Sequence, residues 1–147
     1  MAKILDEGIL KQVQEVFAEL NGEVRVVFFR SKENCDYCNE TQQLLEEVIS
    51  LSEKLSIEVF DIADDAAVAA QYGIDKTPAF VLAAKDGDQI TDFGVRFSGI
   101  PAGHEFTSLI NDLLIVSRRD SGLAPQTRSY LDELTEPLLL QVFVTPT

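Results

Sequence analysis

The sequence predicts an α/β fold in which a mixed central sheet is flanked by helices. Two observations carry this. Short β-branched and aromatic runs alternate with segments of helical spacing. A β-α-β unit is then followed by a hairpin signal and one more helix, an order that closes a mixed sheet with helices on its faces. At 147 residues the chain fits one such domain with an appendage.

Leu5, Ile9, Val13, Val16, Phe17 and Leu20 keep helical spacing, and Asn21-Gly22 is read as the end of that helix. Val24 to Phe29 is short, β-branched and aromatic, the pattern of a strand buried on both faces. Leu44, Val48, Leu51 and Leu55 mark a second helix, and Ile57 to Ile62 a second strand. Asp64 to Tyr72 is alanine-rich and predicts a short helix ended by Gly73. Ala79 to Ala83 is a third strand, Asp86-Gly87 a hairpin turn, and Gln89 to Phe97 the returning strand. Phe106, Leu109, Ile110 and Leu113 line a helix running to about Arg118.

Beyond a polar break at 120–125, Tyr130, Leu131 and Leu134 suggest a further helix, and Leu138 to Val144 an apolar strand. This order repeats the opening of the chain. Setting Leu134 upon Leu20 brings Val142-Phe143-Val144 upon Phe28-Phe29-Arg30, so the tail reads as the start of a second copy. The expected organisation is a domain over 1–119 and a helix–strand extension over 120–147. The extension is too apolar to trail in water, so it is expected to join a sheet edge, its own or that of a second copy as a homodimer.

Lys and Arg total 12 against 25 Asp and Glu, a net charge of −13. Such a surface repels phosphate backbones and anionic lipid, which argues against nucleic-acid and membrane partners; otherwise the charge serves solubility. The N-terminus lacks the apolar run of a secretory leader, and no segment approaches the ~18 apolar residues of a membrane span. The cytoplasm is the expected compartment.

Cys35-Asp36-Tyr37-Cys38 follows a buried strand and precedes a helix. Unpaired N–H groups and the positive end of the helix dipole stabilise a thiolate there, which makes a cysteine reactive near neutral pH. Cys35 is expected at the helix cap as the exposed nucleophile. Cys38, one turn further in, is placed to resolve the mixed disulfide. Two other readings stand beside this one. The cysteines can be ordinary buried thiols, or half of a zinc site, for which only His104 remains as a nitrogen donor. Asp36 favours the helix dipole but opposes a thiolate on Cys35. That opposition predicts a cysteine only modestly acidified. Tyr37 either covers one side of the disulfide or simply packs. Thr77-Pro78 alone fits a trans proline opening an edge strand.

With strand, Cys-x-x-Cys and Thr-Pro in this order, the chain resembles the thioredoxin and glutaredoxin superfamily. It is similar in particular to the tandem glutaredoxin-like protein disulfide oxidoreductases of archaea and some bacteria. The resemblance rests on Cys35 to Cys38, Tyr72-Gly73-Ile74-Asp75, Pro78-Ala79, the stretch from Gly94 to Phe106, and the ending Val142 to Thr147. It covers essentially the whole chain.

The resemblance implies a thioredoxin-like fold and a cis Pro78 facing the cysteines. Cys35 and Cys38 would take the nucleophilic and resolving roles, and Tyr37, Thr77 and Pro78 would bind substrate. It also implies disulfide-containing protein substrates, with a thioredoxin-reductase-like flavoprotein or glutathione as electron donor. Electrons would travel through the cysteines, so no diffusible cofactor is expected. Two departures stand out. Tandem members carry two active units, whereas this sequence holds one and the first elements of another. The slot of thioredoxin's buried Asp is Phe29 here, which leaves Asp61 or Glu33 as replacement acids. His104 is expected to cap or hydrogen-bond locally. The functional expectation is a thiol–disulfide oxidoreductase; the alternative is a thioredoxin-fold scaffold with vestigial cysteines.

Overall fold

The Asp6 carboxylate accepts the Ile9 N–H at 2.9 Å and opens helix α1, Glu7–Phe17. The computed structural model describes residues 2–145. After α1 come β1 (Glu23–Arg30), α2 (Cys38–Ile49), β2 (Leu55–Asp61), α3 (Ala66–Tyr72), β3 (Ala79–Asp86), β4 (Gln89–Ser98), α4 (His104–Arg118) and α5 (Pro125–Asp132).

The four strands form one mixed sheet in the order β2-β1-β3-β4. β1 is parallel to β2 and antiparallel to β3, and β3 and β4 form the hairpin. The central position of β1 and β3 explains their unbroken apolar runs, because each must satisfy a core on both faces. Val24, Val26 and Phe28 of β1 and Phe80 and Leu82 of β3 pack with Phe17, Leu45, Leu109 and Leu113 of α1, α2 and α4. On the other face Val27, Phe29 and Val81 pack with Phe60 and with Ala69 and Tyr72 of α3. Phe28, Phe29 and Phe80 are fully buried, and each large side chain so buried contributes about 1.5–3 kcal/mol.

The end of α4 is fastened to the start of β1. The Ser117 hydroxyl accepts the Asn21 N–H and donates to the Gly22 carbonyl, both at 2.8 Å. From Asp120 to Thr145 every residue is exposed.

The expected α-β-α-β-α-β-β-α order is what forms, with four differences. α1 stops at Phe17 rather than at Asn21-Gly22, although Leu20 still reaches the core. Leu55 belongs to β2, pairing with Val24, not to the second helix; a buried residue at the start of a strand mimics the next apolar position of the helix before it. The hairpin turn is Gly87-Asp88, one residue later than expected, with Gly87 at φ 62°.

The fourth difference is in the tail. α5 forms, with Pro125 in its first turn, but 138–144 is not a strand of the sheet. An apolar run states a need for burial, whereas a strand also needs an edge to bond. Phe143 is left 88% exposed. The last two residues of the expected extension, Pro146 and Thr147, lie outside the described residues.

Candidate active site

The strand register gathers four loops at one end of the sheet. Arg30 pairs with Asp61, Phe29 with Ala79, and Ala79 with Ser98. The segments 31–37, 62–65, 73–78 and 99–103 therefore all leave from the same edge, beyond the carboxyl ends of the parallel pair.

Two ties shape the first of these segments. Arg30, the last residue of β1, donates to Gln42 Oε1 at 2.6 Å and to Asn39 Oδ1 at 2.8 Å, which fixes the first turns of α2 against the strand. The Lys32 N–H donates to Asp61 Oδ2 at 3.1 Å, and the Lys32 ammonium pairs with Asp64. Asn34 then adopts a left-handed φ of 54°, a conformation Asn tolerates better than most residues, immediately before Cys35.

Cys35 and Cys38 are joined in a disulfide with their Cα atoms 5.6 Å apart, within the ordinary range for such a bridge. Cys35 is half-buried, while Cys38 is 2% exposed. The helix begins at Cys38 with Tyr37 as its cap residue, so Cys35 precedes the cap instead of occupying it as expected. The preceding turn carries both Asp36 and Tyr37 outward. Thr41, fully buried, donates its hydroxyl to the Tyr37 carbonyl at 2.6 Å, and its N–H reaches the same oxygen at 2.9 Å. The first turn of α2 is thereby locked beneath the disulfide. Tyr37 is 58% exposed and belongs to the rim rather than the core.

The Thr77–Pro78 peptide is cis. Pro78 is buried and Thr77 half-buried, and the Pro78 carbonyl accepts the Gly99 N–H at 2.8 Å. Pro78 leads into β3, a central strand, which departs from the edge position that the dipeptide alone suggests.

Several expected residues take other parts. Backbone N–H groups of Asp64 and Ala63, with that of Lys32, hold the Asp61 carboxyl below its ordinary value. A group so stabilised as an anion is a loop clamp and poorly suited to carry protons. Glu33 lies exposed, its N–H turned to Ser31. Phe29, which the resemblance sets in the slot of thioredoxin's acid, stacks on Phe60 at 5.7 Å and meets Tyr72 at 6.0 Å within an apolar cluster. His104 opens α4 but caps nothing: Gly103 holds the cap position with no side-chain bond, and the imidazole makes no hydrogen bond among the described residues. Among those residues no group of three or more His, Cys, Asp or Glu is placed to hold a metal, and both sulfurs are engaged with each other.

Arg30, Asn39, Gln42 and Thr41 were not singled out from the sequence. An arginine closing a buried apolar strand was the one available signal, since such a charge must find partners.

The profile of the thioredoxin-like domain matches residues 11–114. The chain belongs to the thioredoxin-like family. Among curated proteins, this thioredoxin-like chain is 29% identical over 148 residues to the alkyl hydroperoxide reductase component AhpF of Staphylococcus epidermidis, covering 98% of the chain and 25% of that protein. It is 32% identical over 116 residues to an NADH dehydrogenase of Bacillus subtilis, covering 79% and 19%. The chain thus spans about a quarter or less of the length of these relatives. Among solved structures, a protein disulfide oxidoreductase from Aeropyrum pernix superimposes with a TM-score of 0.76 at 26% identity, covering 90% of this chain and 57% of that one. The N-terminal domain of alkyl hydroperoxide reductase AhpF from Enterococcus faecalis gives 0.74 at 30%, covering 85% and 58%. The expected resemblance is thus borne out, and the Cys-x-x-Cys motif fits a thiol–disulfide oxidoreductase.

Proposed function

We propose that the chain is a dithiol–disulfide oxidoreductase that reduces or exchanges protein disulfides through Cys35 and Cys38. One observation carries the reading: a closed Cys35–Cys38 bridge with its first sulfur half-buried at the loop edge and its second sealed beneath it. In the reduced form the Cys35 thiolate attacks a substrate disulfide. A Cys35–substrate bond forms and one substrate thiolate leaves. The Cys38 thiolate then attacks Cys35 Sγ, expelling the second substrate thiolate and closing the bridge. Two electrons have passed to the substrate, and an external reductant must return them. Burial keeps Cys38 from direct attack on solvent-borne disulfides and reserves it for the intramolecular step. Tyr37, Thr77 and Pro78 form the rim on which the substrate chain lies.

A thioredoxin-reductase-like flavoprotein is the donor this reading favours, because the relatives include reductase components and a protein named NADH dehydrogenase, all much longer than this chain; glutathione is the other. The cytoplasm, where thiols are kept reduced, suits a cycling dithiol; no described helix is long and apolar enough to cross a membrane. The working unit is 1–119, with 120–147 as its extension.

The deciding assay is insulin disulfide reduction with dithiothreitol as donor. The protein should accelerate it and Cys35→Ser should abolish the acceleration. Equal rates with and without the wild-type protein would leave a binding module with idle cysteines.

A further inference from the structure

We propose that Arg96 is a positioning residue for protein substrates, holding the loop 73–78 that carries Thr77 and Pro78 at the end of the sheet where the disulfide lies. The inference rests on the redox reading above and extends it to a residue outside the loops that form the site.

Arg96 lies on β4 opposite Val81. Its Nη1 and Nη2 engage both oxygens of Asp92 at 2.8 and 2.6 Å, a paired geometry that sets the plane of the guanidinium. Held in that plane, Nε donates to the Tyr72 carbonyl at 3.1 Å, and the guanidinium carbon sits 5.8 Å from the centre of the Tyr72 ring. Tyr72 is the last residue of α3, where carbonyls lack helical partners. Gly73 follows in the left-handed conformation at φ 67°, and the chain then runs through Ile74, Asp75 and Lys76 to Thr77. At the far end of this loop the Pro78 carbonyl is held by the Gly99 N–H, three residues beyond Arg96 in sequence. One stretch of β4 and its outgoing turn therefore grips both ends of the loop: Arg96 fixes where it leaves α3, and Gly99 where it enters β3.

Gly73 and Ile74 donate back to the Ala70 and Ala69 carbonyls of α3 at 3.1 and 2.9 Å, and Ile74 packs on the Phe29 cluster. Asp75 and Lys76 pair with each other and stand in solvent, so Arg96 is the side chain of β4 that holds the loop entry. Loss of Arg96 should leave the disulfide and α2 intact while loosening the entry of the loop. A large substrate, which must lie along that loop, should feel the loss. A small disulfide that needs only Cys35 should not.

The test compares wild type and Arg96→Met on insulin and on 5,5′-dithiobis(2-nitrobenzoate), with amide hydrogen exchange of both proteins. The expected result is a KM for insulin raised about three- to tenfold, the scale of one lost hydrogen bond. kcat, the rate with the small disulfide and the pH dependence of Cys35 alkylation should be unchanged. Amides of 74–77 should exchange faster while those of α2 do not. Should Arg96→Met fail to fold, Arg96→Lys, which keeps the charge but not the planar fork, takes its place with the same expectation. An unchanged insulin KM, or equal losses on both substrates, overturns the proposal. If the wild-type protein reduces neither substrate, the redox reading has failed; hydrogen exchange then decides on its own whether Arg96 holds the loop, and unchanged exchange over 74–77 overturns that too.

Discussion

Arg119 lies against Gly22: a Cβ added at that glycine would meet Arg119 Nη1 at 2.5 Å. The guanidinium uses this gap to donate to the carbonyls of Val116, Ser117, Glu23 and Lys85 and to pair with Asp86 at 3.1 Å. It ties the end of α4 to the beginning of β1 and the end of β3. Gly22→Ala should push the guanidinium aside and cost about 1–2 kcal/mol as these bonds weaken. A urea midpoint equal to that of the wild type would show that Arg119 relocates freely.

Glu47 straps the N-terminal segment to α2. Its carboxylate accepts the N–H groups of Ile4 at 2.8 Å and Leu5 at 2.9 Å. Burial pushes its carboxyl up, but the bonds from Leu5, Ile4 and the Gln43 amide outweigh this and bring it below its ordinary value. A lowered folded value means stability that is present above the unfolded value and lost as pH falls through the folded one. Glu47→Gln should therefore flatten the stability profile below about pH 5. At neutral pH it should cost no more than about 1 kcal/mol, because the site is open to solvent screening. Thermal melts from pH 3 to 7 check both points.

Asp36 projects into solvent beside Cys35 and has no ion-pair partner among the described residues. Its charge opposes a thiolate on that cysteine. Asp36→Asn should speed alkylation of reduced Cys35 near pH 6 by about two- to fourfold, the scale expected for one solvent-exposed charge at short range. A slower reaction would reverse the electrostatic account.

The tail presents Leu139, Leu140, Val142, Phe143 and Val144 each about 80% exposed or more. An uncharged apolar run in this state seeks a strand edge. Removing residues 137–147 should shift the protein toward monomer in sedimentation or light scattering. The same number of copies per particle before and after the deletion would exclude the tail as a contact between copies.

Much of this fold is readable from residue type alone. Val24 to Phe29 could only be a strand with core on both sides, and Cys35 to Cys38 marked the site because two thiols at that spacing after such a strand have few other uses. Boundaries were less legible. Leu55 continues a helical stripe by coincidence, and helix α2 starts at Cys38 because Arg30, Asn39 and Thr41 lock its first turn, which no spacing rule foresees. The Arg96 grip was hidden for a related reason: Asp92, Arg96 and Tyr72 meet only after β4 has paired with β3 and α3 has packed on Phe29. The tail misled because hydrophobicity reports a need for burial, not the partner that meets it.

The division of labour between the two sulfurs is measured directly by trapping. Reduced Cys38→Ser, incubated with an oxidised protein substrate, should accumulate a mixed disulfide through Cys35, identified by mass spectrometry of the linked peptides and released by dithiothreitol. Cys35→Ser should trap little under the same conditions. Trapping through Cys38 alone, or through neither cysteine, would contradict the assignment.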